Sequence, residues 1–353
     1  MCMDEALAEI RFDGTRYGYW QKVEIRESVD DLCAAVQLAI ARPGSGANGG
    51  SGMGMTANTV IDVLIGDELV TKVRPDVNRR RVDPTSHTIN FHARSLGREL
   101  VDCQYSKTLS GLKLSEIVKR LCATFKVSVK IDAETPVVPS FSMQCEVPAN
   151  ALINAVRAAN LLLYPLPDGG LVLTSPTSAA PVATLQYGMH FKVYEVIDEY
   201  KLRFSDYVVK TFDYSSDSAL KGAVKDNGIT YFRPMHVVAD RHSNGLGGCE
   251  RRALLERNRR LARAHRIELE VPGWRYQDTD GKWHPWALNT QVRVIIPEEE
   301  IDGVFLIGER TFRMDDKHGR VTLLQVMNRG AFLGEEKKKS KRGAGVRGKG
   351  HKK

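Results

Sequence analysis

The segment that decides the fold lies near the end of the chain and reads VFLIGERTFRM (residues 304–314), DDKHG (315–319) and RVTLLQVM (320–327). The first and third stretches are rich in apolar and β-branched residues, which is typical of strands. The five residues between them are polar and end in Gly319, and such a turn favours a reversal of the chain. The sequence therefore predicts a β-hairpin here.

The returning strand of this hairpin carries apolar residues on both of its faces. Alternate side chains of a strand point to opposite sides, so one face holds Val321 and Leu323 and the other holds Thr322, Leu324 and Val326. A solvated face would be more polar. We expect Thr322, Leu324 and Val326 to point outward, covered either by a helix of the same chain or by another subunit.

Other strand-like runs form two clusters, one before residue 100 and one after residue 185. The early cluster comprises residues 19–25, 59–65 and 88–92. The late cluster comprises residues 201–212, 229–239, 267–271 and 291–296, together with a hairpin over 276–283. Each cluster has enough strands for its own barrel or sandwich.

The stretch between the clusters changes to helical periodicity. Apolar residues recur at helical spacing over residues 112–121 and are followed by a β run at 125–131. A second copy of this pattern covers 149–163 and the strand 171–174. Pro176 and Pro181 then indicate a linker, so this stretch predicts a small α/β unit.

These patterns predict an α+β, mainly β fold with two antiparallel β-barrel-like domains flanking a small α/β unit. A length of 353 residues is compatible with several domains. The predicted divisions are a first β-domain at 1–100 with a flexible Gly/Ser loop at 43–54, an α/β domain at 101–182, a second β-domain at 183–334 with an Arg-rich helix at 250–266, and a basic tail at 335–353.

The net charge of +8 is concentrated in the tail. Residues 335–353 contain nine Lys or Arg and two Glu, which leaves 42 basic and 41 acidic residues in the rest of the chain. The body is thus nearly neutral, and we expect the tail to be an interaction arm rather than part of a fold.

The sequence offers no membrane or secretion signal and no disulfide pattern. It has no long apolar run and no basic start followed by an apolar core, so we expect a protein that is cytosolic when made and has no membrane insertion of its own. Six cysteines lie far apart without a C-x-x-C motif. We expect reduced structural thiols, with Cys103 buried at a strand end and slow to react.

Two glycine-rich stretches resemble nucleotide-binding loops only superficially. The loop 43–54 is not followed by Gly-Lys-Ser/Thr, as a phosphate loop requires. Residues 244–250, NGLGGCE, have Glu250 where a dinucleotide fingerprint needs its third glycine, and a carboxylate there would repel pyrophosphate. We predict no cofactor.

Charged side chains suggest no catalytic site either. Seven arginines in 250–266 could face phosphates, although a solvated, partly ion-paired face is commoner. His236, Asp240 and His242 are too few for a metal site without ligands from elsewhere. No Gly-x-Ser-x-Gly or His-Glu-x-x-His motif occurs. We therefore predict no catalytic, cofactor-binding or metal-binding residues and a protein that is not an enzyme.

Several short motifs, taken in order, resemble the baseplate hub protein, tail protein P, of Mu-like contractile-tailed phages. In that family an Arg-Ser pair precedes Asp-Leu-Val-Asp-Cys; here ARS (93–95) precedes ELVDC (99–103), with Glu99 replacing the first Asp. The family's Pro-Phe-Gly turn reads Thr124-Phe125-Lys126 in this chain. Further similar stretches are GLVLT (170–174), RFSDY (203–207), FRPM (232–235), VPGW (271–274) and NRGAF (328–332).

The resemblance implies a structural virion protein of the tail baseplate that acts in genome ejection. It implies a homotrimeric ring that joins the tail tube, or a distal tube protein, to the central spike. Other baseplate proteins are implied as partners, with tape-measure protein and DNA passing through an axial channel. Three chains with two similar β-domains each would present six units to a six-fold tube, so we expect the two β-domains to alternate around one axis.

Two other classes of function remain open on the sequence alone. A nucleic-acid-binding protein acting through its basic tail is one, and steep salt dependence of binding would identify it. A tail-associated wall hydrolase is the other, and it would need a carboxylate pair in a cleft.

Overall fold

The structure is a computed structural model that describes residues 6–18, 20–41, 55–82, 87–213, 218–238 and 246–333. The Gly/Ser loop 43–54 and the basic tail 335–353 lie outside these ranges. Strands far outnumber helices in the described residues, which confirms the prediction of a mainly β fold.

The first strand-rich part forms an antiparallel sheet, because apolar residues alternate along most of its strands and enter one core. Its sheet order is β3-β4-β7-β6-β5-β1-β2. The strands are β1 (Ala8–Phe12), β2 (Thr15–Tyr17), β3 (Lys22–Ser28), β4 (Ala35–Ala41), β5 (Ile61–Ile65), β6 (Glu68–Val82) and β7 (His87–Ser95).

The middle part has a core of its own, in which the apolar faces of two helices meet. The predicted helical spacing is confirmed, since Leu114, Ile117 and Leu121 are fully buried. The elements are α1 (Arg98–Asp102), β8 (Tyr105–Lys113), α2 (Leu114–Thr124), β9 (Val129–Ile131), β10 (Val137–Glu146), α3 (Pro148–Ala158), β11 (Leu162–Pro165) and β12 (Leu171–Thr174).

Two boundaries in this part differ from the predicted ones for local backbone reasons. Lys126 has a φ of 59°, so the chain turns after α2 and β9 starts four residues later than the predicted strand. Asn160 has a φ of 60°, and helix α3 ends before it instead of continuing to residue 163. The ELVDC motif, predicted as a strand end, lies mostly in the short helix α1 because Glu99 to Asp102 follow a turn at Gly97.

The last part returns to strands, interrupted by one long helix. Both predicted hairpins are confirmed, at residues 275–285 and 301–327. The elements are β13 (Ala183–Gln186), β14 (Val193–Asp198), β15 (Asp206–Asp213), β16 (Ser218–Lys225), β17 (Pro234–Val238), α4 (Leu246–Ala264), β18 (His265–Pro272), β19 (Arg275–Gln277), β20 (Trp283–Pro285), β21 (Gln291–Ile296), β22 (Ile301–Asp315) and β23 (Gly319–Met327), with 3₁₀ turns at Tyr200–Leu202, Pro297–Glu299 and Arg329–Phe332.

The first and last parts share one sheet through the pairing of β3 with β22, which we call the seam. Its order continues as β14-β18-β23-β22-β3. The first half of β22 pairs with β21 and its second half with β3. A register shift near Gly308 separates the halves, and a side chain at Gly308 would collide with Met327. The domain boundaries near residues 100 and 183 stay a prediction.

The predicted outward face of β23 is wrong. Thr322, Leu324 and Val326 are fully buried. β23 lies between β18 and β22 inside the large sheet, and Leu324 and Val326 contribute to the main core. The Thr322 hydroxyl donates a hydrogen bond to the carbonyl of Gly273 at 2.7 Å. These residues are therefore unavailable for a contact between subunits.

A separate three-stranded sheet, β16-β15-β17, packs one face against helix α4. A Cβ atom at Gly222 would collide with the backbone of Cys249 and Glu250, so only glycine allows this close approach. Tyr207, Val209, Cys249 and Ala253 form the small core between sheet and helix. No helix within the described ranges is long and apolar enough to cross a membrane.

Candidate interaction site

The seam is held by ion pairs between β3 and β22. Arg310 and Glu27 face each other in the register and are both buried, and the Arg310 guanidinium donates from Nε to Glu27 Oε2 at 2.9 Å. It also donates to the carbonyl of Trp286. On the more exposed side, Arg26 donates two hydrogen bonds to Glu309, at 2.7 and 2.9 Å. Bidentate pairs of this kind fix the strand register as well as adding energy.

Asp30 joins three parts of the chain just beyond the seam. Its Oδ1 atom accepts a hydrogen bond from Arg157 of α3 at 2.6 Å and forms an ion pair with Arg263 of α4 at 2.7 Å. Burial raises the pKa of Asp30, but the guanidinium groups of Arg263 and Arg157 outweigh it and leave the pKa below its usual value. The carboxylate is therefore ionised and acts as a fixed link.

A cavity of about 470 Å³ opens beside Asp30, and its walls carry both positive and negative side chains. Its charged lining consists of Arg26, Asp30, Asp31, Arg157, Glu199, Arg263, Arg266 and Glu309. Nearby Arg259 is only 8% exposed, and burial followed by repulsion from Arg157 lowers its pKa to about 9. Positive and negative side chains balance in this lining, which fits a contact between parts of the chain better than a binding site for an anion.

The predicted Arg-rich helix is α4, and most of its arginines are engaged inside the molecule. Arg252 pairs with Glu256 at 2.8 Å, and Arg263 pairs with Asp30. Arg266, which follows the helix in β18, pairs with Glu199 at 2.8 Å. The ion-paired alternative therefore describes this helix, and its arginines are not arranged to face phosphates.

Among the described residues, the dinucleotide-like and metal-like candidates do not come together in a site. Helix α4 begins at Leu246, so Gly247 and Gly248 lie in a helix instead of a loop. His236 lies on the exposed side of β17, while Asp240, His242, Asn244 and Gly245 lie outside the described residues. Within the described ranges no three His, Cys, Asp or Glu side chains converge in a way that could hold a metal ion.

The cysteines of the described ranges are free thiols of differing exposure. Cys122 and Cys249 are buried, and burial raises the pKa of Cys122 to about 12. Cys145 is exposed. The prediction that Cys103 is buried is wrong: it is half-buried, with its sulfur 4.0 Å from Glu99 Oε2, because the chain leaves α1 there in an extended conformation along the surface.

A charged surface on the three-stranded sheet was not predicted from the sequence. In the rows that cross all three strands, alternation and register place nine residues on the side that faces away from α4, and we call this side the lysine face. Lys210 lies directly opposite Lys221. The nine residues are Asp206, Val208, Lys210, Lys221, Ala223, Lys225, Pro234, His236 and Val238.

The charges of the lysine face have no counterions in the protein as described. Lys210, Lys221 and Lys225 are exposed, and no ion pair joins them to any residue in the described ranges. Val238, at the free edge of the sheet, is 83% exposed. The alternation of Lys221, Ala223 and Lys225 in the sequence is the signal that could have indicated a polar strand face.

Two domain families match this chain, and both describe baseplate proteins. Residues 98–175 match the second domain of gp44-like baseplate hub proteins. Residues 248–335 match the fourth domain of the Mu phage baseplate assembly protein GpP. Over 92% of its length the chain is 27% identical to the baseplate hub protein gp44 of Escherichia phage Mu, of which it covers 88%.

Solved structures show the same fold. A 43 kDa tail protein of prophage MuSo2 from Shewanella oneidensis superposes with a TM-score of 0.80 at 24% identity, covering 93% of this chain and 99% of that one. A tail protein from Neisseria meningitidis MC58 gives a TM-score of 0.80 at 22% identity, with 93% and 98% coverage. A type VI secretion component from E. coli gives 0.56 at 8% identity, with 90% and 76% coverage.

Fold and domain matches together make this chain similar to structural proteins of the phage tail baseplate, of the hub class, which are not enzymes. In particular, the chain is a relative of the baseplate hub proteins of Mu-like phages, and the resemblance of its motifs to that family is confirmed. The relative that it matches along nearly its whole length is a protein of the phage tail baseplate.

Proposed function

We propose that three copies of this chain form a ring that joins the tail tube to the central spike and surrounds an axial channel. The observation that carries this proposal is the similarity to the hub of phage Mu along nearly the whole chain, including both strand-rich parts and the α/β unit. A similarity confined to one domain would not support the architecture of a hub.

The seam suits a protein that carries load between a tube and a spike. A buried ion pair and a continuous sheet join the first and last parts of the chain, and Asp30 connects the α/β unit to them. In the proposed ring the parts predicted at 1–100 and 183–334 alternate around one axis, so that three chains offer six units to the tube.

The partners follow from this position. We propose the tail tube or a distal tube protein on one side, the central spike on the other, and other baseplate proteins around the ring. Tape-measure protein and DNA pass through the channel transiently. A protein of similar fold occurs in a PdpA–VgrG complex from Francisella, and it superposes on this chain with a TM-score of 0.55. Assembly takes place in the host cytoplasm.

The mass of the purified chain in solution tests the ring. Light scattering coupled to size-exclusion chromatography should give three times the chain mass of 39.4 kDa, and electron micrographs should show a ring with a central hole. A single-chain mass at micromolar concentration would contradict the proposal. Co-purification with tube and spike proteins of the same phage then tests the two faces separately. A nuclease-resistant complex with DNA in place of these partners would favour a nucleic-acid-binding protein.

A further inference from the structure

We propose that the lysine face binds an acidic turn on a second copy of this chain, in a head-to-tail contact that repeats around the ring. This inference rests on the proposed trimer and names the surfaces that would build it. The acidic turn consists of residues 297–300, between β21 and β22.

The lysine face is built for an external partner of negative charge. In antiparallel sheets, like charges directly opposite each other destabilise the pairing, and Lys210 stands opposite Lys221. Asp206, opposite Lys225, accepts a hydrogen bond from the Ser205 hydroxyl at 2.6 Å and is half-buried. The face therefore keeps a net positive charge that no carboxylate of the described chain neutralises.

The acidic turn carries exposed negative charge, which is complementary to the lysine face. Glu298, Glu299 and Glu300 are exposed at a 3₁₀ turn that begins at Pro297. No Lys or Arg within the described ranges forms an ion pair with any of them. Each surface thus carries three charges of one sign that lack an intramolecular counterion, and each can supply what the other lacks.

The two surfaces lie toward opposite ends of strand β14, as a repeating contact requires. The acidic turn follows β21 closely: the carbonyl of Ile295 accepts a hydrogen bond from the backbone N–H of Tyr187, whose ring lies 5.0 Å from the ring of Tyr194 near the start of β14. The strand ends at Asp198, and the chain runs from there through the turn Tyr200–Leu202 into the lysine-bearing sheet. Six residues of strand span about 20 Å. Different patches on opposite ends of one unit give a heterologous contact, which closes into a ring when the rotation is right.

Two other groups of carboxylates in the chain are already paired. The carboxylates of the seam and of the junction at Asp30 are bonded to arginines of the same chain. The face also offers an apolar edge at Val238, next to the lysines, which suits a folded protein surface better than a bare polyanion.

A charge-swap experiment tests the contact. The double variant Lys210→Glu/Lys221→Glu should weaken trimer formation about 100-fold at low salt, because like charges then meet across the interface. The double variant Glu298→Lys/Glu299→Lys should have a similar effect. Mixing the two variants does not restore a complete ring, because at least two adjacent subunits of the three are then the same variant and their like charges meet. Combining all four changes in one chain should restore the trimer to within about threefold of the original.

The matched control is Lys282→Glu/Lys317→Glu, which changes the net charge by the same amount at exposed hairpin turns. It should leave the trimer unchanged. Trimer formation by the lysine variant equal to that of the control would overturn the inference while leaving the trimer itself standing. Absence of any trimer in the unaltered protein would instead contradict the proposed function.

Zero-length crosslinking provides a direct readout. A carbodiimide joins a lysine to a carboxylate only when they touch, so peptides linking Lys210, Lys221 or Lys225 to Glu298, Glu299 or Glu300 should form in the trimer. Mixed isotope-labelled chains show whether each link joins two copies. Links from these lysines to other carboxylates, or protection of the face by added DNA in place of a second copy, would overturn the inference.

Discussion

At the seam each arginine lies against a carboxylate of the neighbouring strand, whereas on the lysine face Lys210 lies against Lys221. Both regions are antiparallel pairings in the same molecule. The Arg310–Glu27 pair of the seam is buried, and removing one partner there leaves a charge that cannot be solvated. The lysines remain hydrated, so their mutual repulsion costs little in the single chain.

The ion pairs of the seam thus stabilise the folded chain, whereas the lysines of the lysine face are available to a binding partner. Seam ion pairs connect strands almost 300 residues apart in the sequence and define how the first and last parts meet. The lysine face lies on a small sheet attached through a core of four fully buried residues. We therefore expect changes in the seam to affect folding and changes on the lysine face to affect assembly.

The largest expected effect comes from Glu27→Ala. Arg310 would remain buried without its carboxylate, which should lower the free energy of unfolding by about 3–5 kcal/mol. Urea unfolding followed by circular dichroism measures this change. Glu24→Ala, on the same strand in a half-exposed pair with Lys22, is the control and should cost no more than about 1 kcal/mol. Equal losses for the two variants would remove the distinction between seam and surface pairs.

Asp30→Asn should have the next largest effect, a loss of about 2 kcal/mol at neutral pH, because charge-assisted bonds to Arg157 and Arg263 are removed. The pKa of Asp30 in the folded protein lies below the usual 3.8. Its contribution is therefore complete at pH values above about 5 and is lost as the pH falls through the folded-state pKa. Unfolding curves of both proteins should converge in acid.

The neighbouring Asp31→Asn is a control, because the pKa of Asp31 is shifted in the opposite direction from that of Asp30. Burial raises the pKa of Asp31 above its usual value, so its ionised form is disfavoured in the folded protein. Its replacement should be neutral or slightly stabilising at pH 7. A loss comparable to that of Asp30→Asn would show that the position, not the ion pairs, matters.

Thiol labelling compares how often the core under the lysine-bearing sheet and the core of the α/β unit open. Cys249 lies under the lysine-bearing sheet, and Cys122 lies in the larger core of the α/β unit. A small core opens more easily, so Cys249 should react about tenfold faster than Cys122, and exposed Cys145 should react before either. Mass spectrometry of timed samples gives the order. Slower reaction at Cys249 than at Cys122 would mean that the sheet is anchored as firmly as the core.

The smallest expected effect is an increase in the stability of the single chain. Lys210→Glu places opposite charges across from each other on β15 and β16 and should stabilise the isolated chain by about 0.2–1 kcal/mol. The gain should shrink in 1 M salt, where screening acts over about 3 Å. A stabilised chain that assembles less well would show that the lysines are kept for assembly. A destabilised chain would indicate a structural role for Lys210.

The sequence by itself determined the hairpin over residues 301–327, the helix α2 and the sheet-rich character of both ends, because these depend on local periodicity and turn chemistry. The ordered motifs of the hub family were also visible without coordinates. Helix α4 was predicted, but the pairing of its arginines with Glu256 and Asp30 was not, since one partner is distant in sequence.

Only the tertiary structure decided which strand faces are buried and which charges are free. Thr322, Leu324 and Val326 were expected outside, yet β23 lies within a shared sheet whose two strand-rich parts meet at β3 and β22. The lysine face arises because three strands come into register and α4 covers their other side. Strand periodicity states that two faces differ, but which of them meets the core depends on partners that are far away in the chain.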